Sequence, residues 1–379
     1  MSEKRSIFQE VSDADTPRQT PQGGMIDAGR RGARGAVRVW LMLLFALVVV
    51  MIAVGGLTRL TDSGLSITEW KPVTGALPPM DAATWESEFE KYRAIPEYQL
   101  QNKGMSLPEF KVIYWWEWGH RQLGRVIGLV WVLGFLGFLL LRKIPPGWTG
   151  RLLLLGGLGG AQGAIGWWMV SSGLSGQMLD VASYRLAVHL GLAFVILGFI
   201  AWHVMCLGRE ERELMQARRS REGKLFGLST GWLHFAFLQI LIGALVAGID
   251  AGRTFTDWPL MAGGFLPVDF WMPELGARNF FENPGMVQFI HRMTGYLLLI
   301  FGIVVWLKGR RSAHALTRGA FNFAFLALCL QVVLGIMTVL YIAPWQLAIA
   351  HQLLAVILWV LILRARFLSQ YPIVRSVRG

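Results

Sequence analysis

The chain has 379 residues, of which 54% are hydrophobic and 16% charged, and its formal net charge is +12. Such a composition excludes a disordered chain and an ordinary soluble domain, and unbroken apolar runs such as residues 41–52 exclude a β-barrel, whose strands of about ten residues alternate. The two cysteines, Cys206 and Cys329, both fall outside the outer loops, so no disulfide is expected and both read as packing residues.

Residues 1–38 are polar, carry Glu10, Asp13 and Asp15 and lack an apolar period, which predicts a disordered cytoplasmic tail. Those acids argue against a mitochondrial transit peptide, and no small-residue cleavage site follows the first apolar run. Arg30-Arg31 reads as a topogenic pair before a first span rather than as a twin-arginine signal. Eight apolar segments follow, near 39–60, 113–141, 151–172, 186–207, 231–250, 286–307, 319–341 and 346–364. Each can cross a hydrocarbon core of about 30 Å, so the predicted fold is an all-α integral membrane protein with eight transmembrane helices. The basic loop 208–230, with Arg209, Arg212, Arg218, Arg219, Arg221 and Lys224, marks the inner side. Both termini are then cytoplasmic, and a bacterial inner membrane is the simplest location. The positive charge reflects this topology and contact with anionic lipid rather than a nucleic-acid surface.

The chain repeats itself. Gly55 to Gly64, with Trp70, Pro72 and Leu77 to Pro79, corresponds to Ala247 to Arg253, with Trp258, Pro259, Leu266 and Pro267. His120-Arg121 with Gly124 corresponds to His291-Arg292 with Gly295. Gln162 and Gly166 in the third span answer Gln331 and Gly335 in the seventh, and His189 answers His351. The order of all markers is kept, as in a tandem duplication of a four-span unit with parallel orientation. The predicted organisation is two tandem four-helix bundles, 39–208 and 229–366, joined by a basic linker at 209–228 and followed by a cytoplasmic tail at 367–379. Each bundle is expected to house one cofactor between its second and fourth helices.

His120, His189, His291 and His351 all occupy the outer ends of even-numbered spans, at matching depth. An imidazole in a bilayer is costly unless it is used, and two pairs on facing helices suit bis-histidine haem ligation. Interfacial histidines that bond loop carbonyls would explain one such residue equally well, but explain four in register poorly. Arg121 and Arg292, next to their histidines, and Arg59, at the outer end of the first span, could pair with haem propionates or simply snorkel. Gly124 and Gly295 lie on the ligand's own helix face, where a side chain would crowd a porphyrin or a neighbouring helix. Glu117 stands one turn outward of His120, whereas the second half has Gln288. Such a difference suits one reactive site and one resting cofactor; the plain alternative is an interfacial acid. His203, His234 and His314 break the symmetry and read as packing or surface residues.

Together these residues resemble the haem A synthase family. The resemblance runs from Val39 to about Leu363. It is carried by Gly55-Gly56-Leu57-Thr58-Arg59-Leu60-Thr61-Asp62-Ser63-Gly64-Leu65, by Glu117-Trp118-Gly119-His120-Arg121, and by His189, His291-Arg292 and His351. It implies an oxidoreductase that converts the C8 methyl of haem O to a formyl group, giving haem A for terminal oxidases. It also implies haem b on His291 and His351, a substrate site on His120 and His189, and a functional role for Glu117. An electron donor, a haem O synthase and oxidase-assembly proteins are the implied partners, with membrane lipids around the spans, no nucleic acid, and homo-oligomerisation left open. Some members carry a cysteine pair in an outer loop; this chain does not, and is similar to the cysteine-poor subgroup. Two rival classes use the same ligands: a di-haem electron-transfer protein of the quinol or ferric reductase type, and a haem transporter.

Overall fold

The computed structural model describes residues 25–176 and 178–373. Of the two expected tails, residues 1–24 and 374–379 lie outside the described residues. Among the described residues, eight helices are long and apolar enough to span a membrane. In the first half they are α1 (Met25–Leu60, apolar from Ala33), α4 (Leu107–Leu140), α5 (Thr149–Val170) and α6 (Ser183–Leu207). In the second they are α8 (Gly223–Gly248), α10 (Pro284–Gly309), α11 (Ala315–Leu340) and α12 (Trp345–Gln370). The short helices are α2 (Ala82–Arg93) and α3 (Pro96–Leu100) in the first outer loop, α7 (Glu211–Arg219) in the basic loop, and α9 (Asn279–Glu282).

Helix starts follow capping chemistry. Ser106 and Glu109 form a capping box at the head of α4, and the Asn283 side chain accepts from Met286 N–H at the head of α10. Two boundaries differ from expectation. Helix α1 begins at Met25, so residues 25–38 are helical rather than disordered. The reason is a docking contact: the Arg34 guanidinium donates to the carbonyls of Cys206 (3.0 Å) and Arg209 (2.7 Å), and Arg38 to Val204 (3.2 Å), at the C-terminus of α6. Carbonyls in the last turn of a helix keep acceptor capacity, and cations are favoured there. The basic linker is likewise helical, with α7 inside it and α8 starting at Gly223.

Each half is a closed ring of four helices. Helix α1 packs on α4, α4 on α5, α5 on α6 and α6 back on α1; α8, α10, α11 and α12 close in the same order. The second and fourth members of each ring therefore stand on a diagonal. The rings fuse along α1, α6, α8 and α12, and one apolar core runs from Val37 on α1 to Leu368 on α12. Small residues allow the close approach there: a Cβ on Gly248 would lie 2.9 Å from the Ser183 backbone, and one on Gly198 would lie 3.1 Å from the Trp359 indole. The outer faces of α4 and α11 present exposed Leu129, Leu133, Phe323 and Leu326 to the lipid.

The first outer loop folds into a cap. At about 1.5 Å per residue, α4 is longer than a bilayer requires, and its first turns place Phe110 and Tyr114 in a second apolar core with Leu65, Trp85, Phe89 and Tyr92. Beneath this cap Glu97 is 3% exposed. One of its oxygens accepts from Asn102 (3.3 Å), the other is buried without a partner, and Asn102 also donates to the Tyr92 hydroxyl (2.8 Å). Burial, and then the nearby carboxylates of Asp180, Glu117 and Asp62, push the Glu97 pKa up to about 8.

Two predictions follow from this architecture. A carboxyl with a folded pKa near 8 holds its proton above the unfolded value of about 4.3, so its contribution to stability declines as pH rises between the two. Thermal unfolding in detergent from about pH 5 to about pH 9 should show that decline, and Glu97→Gln should flatten it; a parent profile without the slope would refute a protonated Glu97. For topology, Cys206 and Cys329 are replaced and single cysteines introduced at Gln216 or Val268. Gln216→Cys should resist a membrane-impermeant maleimide in intact cells, and Val268→Cys should react. Labelling at 216 from outside would invert the orientation.

Candidate functional site

The four histidines fall as two diagonal pairs. His120 on α4 and His189 on α6 belong to the first ring, and His291 on α10 and His351 on α12 to the second. Within each ring the two imidazoles are close enough to interact electrostatically. All four are half-buried, and none approaches an acid or cysteine cluster of metal-binding type among the described residues.

Each imidazole lies against a glycine on an adjacent helix. A Cβ would lie 3.2 Å from His120 at Gly55 and 2.9 Å from His189 at Gly166. At Gly243 it would lie 3.1 Å from His291, and at Gly335 2.9 Å from His351. No larger residue fits these positions without moving the ring. Three of the histidines also meet a glutamine one turn along that neighbouring helix. Gln162 Nε2 donates to the His189 carbonyl (3.0 Å), Gln239 Nε2 to that of His291 (2.9 Å) and Gln331 Nε2 to that of His351 (3.0 Å). The same nitrogens sit 3.1–3.3 Å from a ring nitrogen of the histidine. Gln162 Oε1, Gln331 Oε1 and His351 Nδ1 are buried without a partner. Buried polar atoms of this kind cost about 1–3 kcal/mol each unless something satisfies them. Paired imidazoles, glycine cradles and unspent polar atoms between diagonal helices are the donor set and shape that bis-imidazole ligation of a porphyrin iron requires.

Outward of His120, Glu117 is 2% exposed and fully engaged. Its Oε2 accepts from Ser66 Oγ (2.7 Å) and Ile67 N–H (2.8 Å), and its Oε1 from Arg121 Nε (3.0 Å) and Nη2 (2.6 Å). Arg121 also donates to the carbonyls of Ile67 (2.8 Å) and Glu69 (3.0 Å). In the second ring Gln288 donates to the Phe255 carbonyl (3.0 Å), while Arg292 donates to Phe255 (2.9 Å) and Leu260 (2.9 Å) and keeps a buried Nε without a partner. Both arginines thus pin the start of an outer loop over their histidine. Only the first ring adds a carboxylate.

Arg59 stands in an ion-paired cluster with Asp62 (2.9 Å), Asp250 (2.8 Å) and Asp180 (3.4 Å), while its buried Nε has no partner. Asp180 and Asp250 come from different halves, which makes this cluster a tie between the rings. A second tie is Gln352, beside His351, whose Nε2 donates to the Ile52 carbonyl of α1 (2.7 Å).

The remaining histidines stay apart from both rings. His203 is buried edge-on against Trp148, with ring centroids 5.3 Å apart; exposed His234 bonds the Thr230 carbonyl (2.8 Å); His314 precedes α11. Reading the chain alone missed the role of the glutamines. Gln162 and Gln331 served only as repeat markers there, and Gln239 was passed over, although all three are followed four residues later by glycine. Glu97 was also missed, because nothing in its local sequence signals burial.

Comparison with known proteins agrees with this arrangement. The COX15-CtaA family model, described as cytochrome oxidase assembly protein, matches residues 38–363. A relative from Ruegeria pomeroyi named heme A synthase is 70% identical over 381 residues, covering 100% of both chains. Relatives of the same name from Dinoroseobacter shibae and Paracoccus denitrificans are 70% and 64% identical, each covering at least 99% of both chains. The chain belongs to the COX15-CtaA family of cytochrome oxidase assembly proteins.

Proposed function

We propose that this chain is a haem A synthase, an integral membrane oxidoreductase that converts the C8 methyl of haem O into the formyl group of haem A. The observation that carries this reading is the one ionisable difference directly outward of the two corresponding histidines: the carboxylate of Glu117 above His120 against the amide of Gln288 above His291. The name borne by full-length relatives at 64–70% identity supports it. A protein using both rings for permanent electron carriers has no need of that difference.

In this reading His120 and His189 hold the iron of haem O as substrate, and His291 and His351 hold a resident haem b. A haem bound in the second ring supplies one-electron transfer, which protein side chains cannot. The neutral imidazoles serve as ligands, and the glycine cradles set their planes. Arg292, with its Nε unspent, is a donor available to a propionate, as is the unspent Nε of Arg59. Arg121 acts through Glu117 and the loop carbonyls instead, fixing the carboxylate one turn outward of His120. Oxidation of the methyl to a formyl group gives up four electrons to an external oxidant that also supplies the oxygen, and releases protons at the reacting carbon; Glu117, one turn outward of His120, is the residue that would accept and return them. The apolar cap of α2 and α3 keeps bulk water from that carboxylate. The substrate's farnesyl tail implies a haem O synthase upstream and oxidase assembly downstream, with the protein in a bacterial inner membrane and its termini cytoplasmic. An electron donor completes the set of partners.

Separate ligand pairs predict separable losses. His291→Ala or His351→Ala should remove most of the low-spin b-type spectrum, whereas His120→Ala or His189→Ala should leave it and abolish haem A formation. Equal loss of one pigment in all four variants would overturn the division of labour. Glu117→Gln keeps acceptors for Ser66 and Ile67 but gives up the charge beside Arg121. Haem A formation, measured by pigment extraction from cells that also make haem O, should fall about 10²-fold with the b-type spectrum unchanged. Normal haem A production by that variant would make Glu117 a loop anchor only.

A further inference from the structure

The first, third, fifth and seventh spans each back one histidine with the same device, and one of the four copies is incomplete. Helices α5, α8 and α11 carry Gln162 with Gly166, Gln239 with Gly243, and Gln331 with Gly335. Helix α1 carries Met51 with Gly55. The glycine cradle survives against His120, but the amide is gone, and among the described residues His120 has no side-chain hydrogen bond.

The replacement is positional, not a shift of register. A Cβ on Gly295, four residues after His291, would lie 3.3 Å from Gln239 Nε2; one on Gly124, four residues after His120, would lie 3.4 Å from Met51 Cε. The methionine tip therefore occupies the place of the amide. The support behind the amide has gone too. In the second ring Thr294 Oγ1 donates to Gln239 Oε1 (2.5 Å), whereas the matching residue of the first ring is Leu123. Amide and hydroxyl are together replaced by thioether and isobutyl, side chains that pack but fix no direction for an imidazole.

We propose that Met51 and Leu123 make His120 the releasable ligand of the first ring: substrate and product exchange by parting from His120, while Gln162 keeps His189 in place. Gln239 and Thr294, in turn, make His291 a permanent ligand. An imidazole whose orientation is held by a neighbouring amide re-forms its bond to iron before the porphyrin can leave; one without it swings away at the cost of side-chain packing alone. Met51, Leu123, Gln162, Gln239 and Thr294 are positioning residues here, acting only through the histidines. The inference rests on the first ring being the substrate site, and its test does not require turnover.

The test exchanges the two devices in the full-length protein, solubilised in detergent with its porphyrins bound. Transfer of each porphyrin to excess apomyoglobin is timed by pigment extraction, and low-spin ferric signals are recorded by electron paramagnetic resonance. The double variant Met51→Gln with Leu123→Thr should slow porphyrin loss from the first ring about tenfold, the scale of one oriented hydrogen bond. The reverse double variant, Gln239→Met with Thr294→Leu, should speed haem b loss by a similar factor and shift its low-spin signal, which reports imidazole orientation and is insensitive to general destabilisation. Met51→Leu, which alters shape without adding a donor, should exchange like the parent. Unchanged exchange in either double variant, or equal slowing by Met51→Leu, would overturn the proposal. If extraction yields haem B alone from both rings, the haem A synthase reading fails instead. The exchange rates of that haem B would still decide whether the glutamines clamp.

Discussion

Contact between an imidazole and a bare α-carbon on the next helix is the constraint from which the rest of this structure follows. It occurs four times, at Gly55, Gly166, Gly243 and Gly335, each leaving a hypothetical Cβ about 3 Å from a histidine ring. Such contact is possible only where two helices pack closely, and it fixes each ring's depth and plane at once. Two imidazoles fixed in that way on diagonal helices can share one iron. The four-helix rings, the close α1 to α4 and α8 to α10 packing, and the arginine-pinned loops above the histidines all serve to keep these contacts in register.

Against that symmetry, the differences between the rings stand out as chemistry rather than drift. The second ring is amide-rich: Gln239, Gln331 and Gln288 bond main-chain carbonyls, and Thr294 buttresses the first of them. The first ring trades two of these polar groups for Met51 and Leu123, gains the Glu117–Arg121 pair, and is roofed by the apolar cap of α2 and α3. A buried ion pair adds little net stability, because desolvation offsets its Coulombic attraction. A histidine with no amide contact, beneath a fixed carboxylate and a water-excluding roof, suits the substrate site proposed above.

The rings are also mechanically joined. Arg59 draws Asp180 of one half and Asp250 of the other to one guanidinium, Gln352 reaches from beside His351 to the backbone of α1, and Trp359 bonds the Phe194 carbonyl (3.0 Å) inside a single apolar core. Residues 209–228, expected as a simple linker, contribute helix α7 and the start of α8 to this assembly. The two histidine pairs are thereby held in a fixed relation.

The amino-acid sequence by itself determined the eight spans, the duplication, the four histidines at matched depth and the pairing of Glu117 with Gln288. Each of these is a local property. In lipid every backbone group must bond within its own helix, so spans are written as continuous apolar runs, and a residue's depth follows from its position along one of them. Only the tertiary structure decided which polar groups meet. Gln239 finds a histidine 52 residues away, Arg59 finds aspartates 121 and 191 residues away, and Glu97 is buried because the first outer loop folds onto the head of α4. Partner choice depends on which helices become neighbours, and that is settled by side-chain packing across the bundle, which leaves no periodic trace in any one segment.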